Sequence, residues 1–193
     1  MKKIVSILLV LVTVYAQAQD VKEITEDYNA YSKLLSEKNF EKAFDYLNEG
    51  IFTVATREQL LEVMKQTLAN PAITFEMSMP EVSGFTDAKK IGETYYVKFN
   101  SFNIIRMKFT GMFAPDRSQE ELNALVTQMK EAFNAKFGAE NVSYDDKTQF
   151  FQLKSTKPVI AASADKKAWK FITIDDESQK PMLAQFIPAE ILN

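Results

Sequence analysis

The stretch ETYYVKFNSFNIIRMKF, residues 93–109, decides the fold. Large apolar side chains occupy odd-numbered positions in both halves of the stretch, which is the spacing of a β-strand with one buried face. They are Tyr95, Val97, Phe99, Ile105, Met107 and Phe109. Phe102 and Ile104 fall on even-numbered positions and do not fit one amphipathic strand. We therefore expect a bulge or tight turn near residues 100–103.

Further strands are predicted on both sides of this stretch. In ITFEMSM, residues 73–79, apolar side chains alternate with polar ones, and Pro80 ends the run. Strand-like runs follow at 142–144, 148–154, 159–163 and 168–174, separated by turn-like segments. In the last run, Trp169 and Phe171 share one face while Ile172 and Ile174 share the other, so we expect this strand to be covered on both sides.

Helical spacing appears before the strands and again between them. Apolar residues recur three and four positions apart from Val21 onward. The same spacing recurs in a shorter second helix at Phe40, Ala43, Phe44 and Leu47. A capping box of Thr56 and Gln59 predicts the start of a third helix. Ser118 and Glu121 form another capping box, ahead of an apolar stripe that ends near Gly138. The stripe consists of Leu122, Leu125, Val126, Met129, Phe133 and Phe137.

These elements predict an α+β fold, with N-terminal helices packed on a strongly curved antiparallel sheet. One long helix, at about residues 118–137, is inserted between strands, and we expect it against the outer face or edge of the sheet. There it would cover the second face of the strand that contains Trp169. Burial of that face in a homodimer is the rival explanation. The length suits a single domain, residues 19–193.

The first 18 residues have the order of a secretory signal peptide. A short basic segment, MKK, precedes a run of twelve apolar or small residues from Ile4 to Tyr15, and small residues follow at Ala16 and Ala18. The run is shorter than the ~20 residues that a membrane-spanning helix needs, so we expect cleavage after Ala18 and no stable membrane span. The mature chain is then exported to the periplasm or the extracellular space.

Composition excludes several kinds of chemistry. The 193-residue chain contains no His and no Cys, which removes imidazole catalysis, thiol chemistry and the commonest metal ligands. With a net charge of −3, the chain lacks the excess of basic residues that is typical of nucleic-acid binding. Met77 and Met79 have no His or Cys to complete a copper site, and the acidic runs at 145–146 and 175–177 lack the spacing of a known calcium-binding loop. We therefore predict no metal, no cofactor and no nucleic-acid partner.

The order of elements resembles a known superfamily. The helical stretches YSKLLSEKNFEKAFDYLNEGIF and TREQLLEVMKQTLANP, the strand ITFEMSM, and the closing AWKFITID and MLAQFIPAEIL are similar to exported Bacteroidetes-type members, of unknown function, of the nuclear transport factor two-like superfamily. The resemblance implies a cystatin-like cone whose mouth often holds a small ligand. The helix at 118–137 departs from it, because the ordinary cone does not need that helix.

Two functions follow from the resemblance. The first is a non-catalytic binding or interaction domain, which holds a small apolar molecule in the cone mouth or contacts a protein of the cell envelope. We place four residues near that site: Tyr31, Phe75, Tyr96 and Trp169. The alternative is an isomerase- or cyclase-like enzyme that uses an Asp or Glu together with a Tyr. No motif assigns a catalytic residue, and each aromatic residue could equally belong to the core.

Overall fold

The computed structural model describes residues 2–113 and 117–193. The helices are α1 (Lys2–Ser36), α2 (Phe40–Ala43), α3 (Arg57–Leu68), α4 (Gln119–Phe137), α5 (Lys180–Leu183) and α6 (Ala189–Leu192). The strands are β1 (Ile73–Met77), β2 (Glu81–Ser83), β3 (Lys89–Ile91), β4 (Thr94–Phe109), β5 (Val142–Asp145), β6 (Phe150–Ser163) and β7 (Lys170–Thr173). The fold is α+β, as the sequence predicts, with N-terminal helices and a seven-stranded antiparallel sheet.

Both predicted capping boxes are present. The Ser118 hydroxyl accepts a hydrogen bond from the Glu121 amide at 3.2 Å, and the Glu121 carboxylate accepts one from the Ser118 amide at 2.8 Å. Thr56 and Gln59 make the same reciprocal pair at the start of α3. Gly138 follows α4 with φ of 86°, a left-handed backbone that favours glycine. Each of these features depends only on neighbouring residues, which is why the local sequence predicts it.

Two long strands form the centre of the sheet. β4 and β6 pair without interruption from Tyr95 opposite Ser163 to Met107 opposite Phe151. The short strands β1, β2 and β3 lie along the other side of β4, and β5 and β7 lie beside β6. The predicted bulge at residues 100–103 is therefore wrong for the central pair. Phe102 and Ile104 simply belong to the opposite face, where both are half-buried.

We call the face that carries the odd-numbered residues of β4 and β6 the inner face. Helix α1 packs on one end of it, where Ile24 and Tyr28 contact a buried cluster. The remaining cluster members are Val97, Phe99, Val159, Ala161, Trp169 and Phe171. Since α1 places Asp20, Ile24, Tyr28 and Ser32 four residues apart, one stripe of the helix faces the sheet.

The even-numbered face, which we call the outer face, is covered by the C-terminal segment. Tyr96, Ile160, Ile172 and Ile174 form a second buried cluster there. The covering side chains are Leu183, Ile187, Ile191 and Leu192. Two-sided cover of the strand after Trp169 is thus confirmed. The prediction that α4 covers the second face is wrong, because the C-terminal segment lies on the outer face.

Helix α4 packs on the inner face, at the opposite end of the long strands from α1. The ring of Phe133 lies 6.4 Å from that of Phe109 and 5.3 Å from that of Phe151, and both partners have inner-face parity. The expected position on the outer face or edge is therefore wrong. The apolar stripe of α4 packs against the aromatic residues at one end of β4 and β6. Those residues point to the inner face, which α1 covers at its other end.

Candidate functional site

The inner face changes character halfway along the long strands. Apolar side chains give way to Ser101 and Asn103 on β4 and to Ser155 and Lys157 on β6. Ser101 lies opposite Lys157, and Asn103 lies opposite Ser155, so the four residues form one continuous polar patch. Apolar residues resume on both strands beyond it. We call these four residues the polar patch.

A cavity of about 320 Å³ lies over the polar patch, between α1 and α4. We call it the α1–α4 cavity. Its lining combines hydroxyl, amide, charged and apolar groups. Besides the polar patch, the lining residues are Tyr28, Tyr31, Ser32, Leu35, Met77, Ile105, Lys136, Phe137, Thr173 and Asp175.

Two tyrosines present neutral hydroxyls to this cavity. Burial raises the pKa of Tyr28, and its hydrogen bonds with Ser101 and Thr173 offset only part of that effect. Burial is also the main reason that the pKa of Tyr31 lies well above its usual range, with the nearby charge of Asp175 acting in the same direction. Both phenols therefore stay protonated at neutral pH and can donate as well as accept hydrogen bonds.

Three polar side chains that line the cavity make no side-chain hydrogen bond to a described residue, whereas the fully buried polar atoms without a partner belong to Asn29, Asn134 and Trp169. Ser32 is 4% exposed and Ser155 is 5% exposed. Within residues 2–113 and 117–193, no side-chain hydrogen bond joins either hydroxyl, or the Asn103 amide, to another group. These groups therefore have hydrogen-bonding capacity left for water or a ligand.

The cavity carries two cations and one carboxylate. The Lys157 side chain is 22% exposed, and its Nζ lies 3.5 Å from Asp175 Oδ1. The same Nζ donates to the main-chain oxygen of Asp175 at 3.1 Å. Lys136 and Lys157 also lie over the ring of Phe137, with Nζ 5.6 Å and 5.9 Å from its centroid. The charged groups therefore gather at the α4 side of the cavity.

The four residues that the sequence places near a site do not come together. Tyr31 lines the α1–α4 cavity. Phe75 has inner-face parity beside Met107, outside the cavity lining, and Tyr96 is buried in the outer-face cluster. Trp169 is buried in the inner-face cluster, and its main-chain N–H donates to Asp27 Oδ2 at 2.9 Å.

Sequence reasoning missed the polar patch and Tyr28. A signal for the patch exists in the sequence. Both long strands carry polar residues at inner-face positions, in the middle of an apolar series, and the register brings the two interruptions together. Such a coincidence is visible only once the pairing of the two strands is known.

A wider depression, of about 650 Å³, lies beside α3 and is a weaker candidate. Its lining includes Asp45 and Arg57, whose side chains pair with each other at 2.7 Å. Its main charged groups are therefore already engaged. The α1–α4 cavity differs because the Ser32 and Ser155 hydroxyls in its lining make no side-chain hydrogen bond to a described residue.

The acidic pairs considered as metal ligands have structural roles. The Asp145 carboxylate accepts from the amides of Lys147 and Thr148, which lowers its pKa. The Asp176 carboxylate accepts from Ser178, also with a lowered pKa. No group of three or more metal-binding side chains occurs in the part of the chain that the structure describes.

Among the described residues, no helix is long and apolar enough to cross a membrane. Comparisons of the chain with protein-family models, with curated proteins and with solved structures gave no match.

Proposed function

We propose that the chain is an exported, non-catalytic binding domain that holds a small amphipathic molecule in the α1–α4 cavity. The observation that carries this proposal is the polar patch. Within the patch, the Ser155 hydroxyl makes no side-chain hydrogen bond to a described residue, and it lies at the floor of a cavity whose other walls include apolar side chains. A cavity that served only for packing would be lined by apolar groups, because unsatisfied polar groups destabilise a core.

The dimensions and lining support the same function. Ligand sites enclose about 300–1,000 Å³ and combine apolar walls with a few convergent polar groups. The α1–α4 cavity, at about 320 Å³, lies at the small end of that range. The resemblance to the nuclear transport factor two-like superfamily is part of the proposal, since small ligands often occupy the cone mouth there. Helix α4, which that resemblance does not require, provides Lys136 and Phe137 to one wall.

Filling the cavity tests the proposal. Ser155 and Thr156 are neighbours on β6, but only Ser155 faces the cavity, while Thr156 is exposed on the outer face. We expect lipophilic compounds from a thermal-shift screen to stabilise the wild type and Thr156→Leu but not Ser155→Leu. A compound present at a hundredfold excess over its Kd should stabilise the fold by about 2.7 kcal/mol.

Two results would contradict the small-molecule function. One is equal stabilisation of Ser155→Leu and Thr156→Leu by the same compounds, which would place binding outside the cavity. The other is a screen in which no compound stabilises the wild type. A protein partner in the cell envelope would then be the better explanation of the domain.

Export is the second part of the proposal. Among the side chains of α1 whose burial the structure describes, those buried against the sheet begin at Asp20, so cleavage after Ala18 would keep all of them. Asp20 also pairs with Lys166 at 2.6 Å and so belongs to the folded domain. We expect protein recovered from a bacterial periplasm to begin at Gln19, as determined from its intact mass. Recovery of the chain with residues 1–15 still attached would contradict export with cleavage.

An isomerase- or cyclase-like enzyme is the second candidate function. It is favoured by one observation, because Asp175 lines the same cavity as Tyr28 and Tyr31. The Asp175 side chain, however, is 60% exposed and paired with Lys157, whereas a general base of this type is usually desolvated. Turnover of a cavity-bound compound that disappears in Asp175→Asn would establish the enzyme.

A further inference from the structure

We infer that the ligand of the α1–α4 cavity carries a carboxylate, bound by Lys157, and an apolar body bound by the facing helix and strand residues. This inference rests on the proposed function and specifies the chemical class of its ligand. It comes from three observations on the same cavity: the position of Lys157, the geometry of its present ion pair and the placement of the apolar residues.

Lys157 is positioned as an anion-binding group within the cavity lining. It belongs to the polar patch, opposite Ser101 and two residues from Ser155 on the same face of β6. Its side chain is mostly buried, with 22% exposed. A charge-assisted hydrogen bond is stronger in such a setting than at an open surface. The neighbouring Ser155 hydroxyl can donate to the second oxygen of a bound carboxylate.

The present partner of Lys157 is easily exchanged. Asp175 Oδ1 lies 3.5 Å from Nζ, which is longer than a good charged hydrogen bond, and the Asp175 side chain is 60% exposed. A ligand carboxylate can therefore take its place while the Asp175 carboxylate returns to water. Lys157 would keep its hydrogen bond to the main-chain oxygen of Asp175, which holds the ammonium group in position.

The second cation makes the preference for an anion stronger. Lys136 lies over the same Phe137 ring as Lys157, and both side chains line the cavity together with Asp175. Hydrogen bonds with Ser178 lower the pKa of the nearby Asp176 carboxylate, and both lysines help to lower it. A ligand with a negative group is attracted by both ammonium groups, whereas a ligand with an amino group is repelled by them.

The apolar part of the lining defines the rest of the ligand. Leu35 from α1, Met77 from β1, Ile105 from β4 and the ring of Phe137 line the same cavity as the charged groups. Apolar surface buried against these side chains contributes the non-directional part of the affinity. The volume of about 320 Å³ limits the ligand to a small molecule.

Three eight-carbon probes separate these contributions: octanoate, 1-octanol and octylamine, measured by isothermal titration calorimetry. We expect the wild type to bind octanoate at least about tenfold more tightly than 1-octanol, and octylamine most weakly. Lys157→Met keeps the aliphatic stem and should remove the preference for octanoate over 1-octanol. Lys157→Gln should behave in the same way. Lys154→Met, on the outer face of the same strand, should match the wild type.

The outcomes distinguish this inference from the proposed function. If 1-octanol binds as tightly as octanoate, or if Lys157→Met keeps the octanoate preference, the carboxylate inference is wrong but the binding function stands. If none of the three probes binds the wild type, both are wrong for ligands of this kind. A cooperative thermal transition of Lys157→Met near that of the wild type shows that the variant is folded, so loss of its octanoate preference supports the inference.

Discussion

Replacing Phe171 with alanine is expected to lower the free energy of unfolding by about 3–5 kcal/mol. The Phe171 side chain is completely buried on the inner face. Its ring lies 5.0 Å from that of Tyr28 in an edge-on arrangement, 6.3 Å from that of Phe99 and 6.2 Å from that of Tyr31. Alanine would remove all three ring contacts. It would also leave a cavity between α1 and the sheet that the surrounding residues can close only in part.

Urea unfolding followed by circular dichroism measures this loss. Phe150→Ala is the matched control, since it removes the same side chain from the half-buried end of β6, where the ring contacts the Arg106 guanidinium at 4.4 Å. An exposed cation–π contact contributes about 0.5–1 kcal/mol. Equal destabilisation by the two substitutions would mean that Phe171 is not the centre of the α1–sheet contact.

Deletion of residues 180–193 is expected to have the larger effect. This segment provides Leu183, Ile187, Ile191 and Leu192 to the outer-face cluster, and all four are buried. Full burial of an aliphatic side chain contributes about 1.5–3 kcal/mol, so the four together match the whole stability of a typical domain, about 5–15 kcal/mol. We expect the shortened chain to lose its cooperative thermal transition and to aggregate through its uncovered β-sheet face.

Point variants within the segment separate loss of cover from loss of length. Ile191→Ala should lower stability by about 2–5 kcal/mol, whereas Glu190→Ala, next to it and exposed, should leave the melting temperature nearly unchanged. A deletion variant that melts cooperatively within a few degrees of the wild type would contradict an essential outer layer. Differential scanning calorimetry and size-exclusion chromatography provide both readouts.

The parts of this fold that could be predicted from the sequence are those in which a few neighbouring residues decide the outcome. Each capping box, at Thr56 and at Ser118, needs only a side-chain hydroxyl and the main-chain amide three residues further along the chain. The alternation in Ile73–Met77 needs only a strand with one half-buried face, and the burial pattern of β1 agrees with it. Gly138 ends α4 because the position after the helix has a left-handed backbone, which glycine adopts without strain.

Relations between distant segments could not be predicted in this way. Phe102 and Ile104 suggested a bulge because apolar residues were expected on one face only. Half-exposed apolar residues are common in folded proteins, so their parity did not require one. The amphipathic stripe of α4 indicated burial but not which face of the sheet it meets. That depends on where β4 and β6 place Phe109 and Phe151.

The candidate site depends on both kinds of information. The prediction from the sequence chose four large aromatic residues, Tyr31, Phe75, Tyr96 and Trp169. Only Tyr31 of these four lines the α1–α4 cavity. The floor of the cavity is made by small polar residues that have little individual signal. They form a site only because they lie next to one another on the same face of two paired strands.

The polar patch also sets a limit on how stable this domain can become. Serine and asparagine occupy strand positions between apolar residues of the same face, where valine or isoleucine would suit the pleated backbone better and bury more apolar surface. Natural selection for stability alone would replace them, because stabilising substitutions are easy to find in most proteins. On the proposed binding function, Ser101, Asn103 and Ser155 exchange stability for ligand binding in the middle of the longest strand pair. Variants selected for heat resistance are then expected to lose these polar side chains first, and to lose the proposed ligand binding with them.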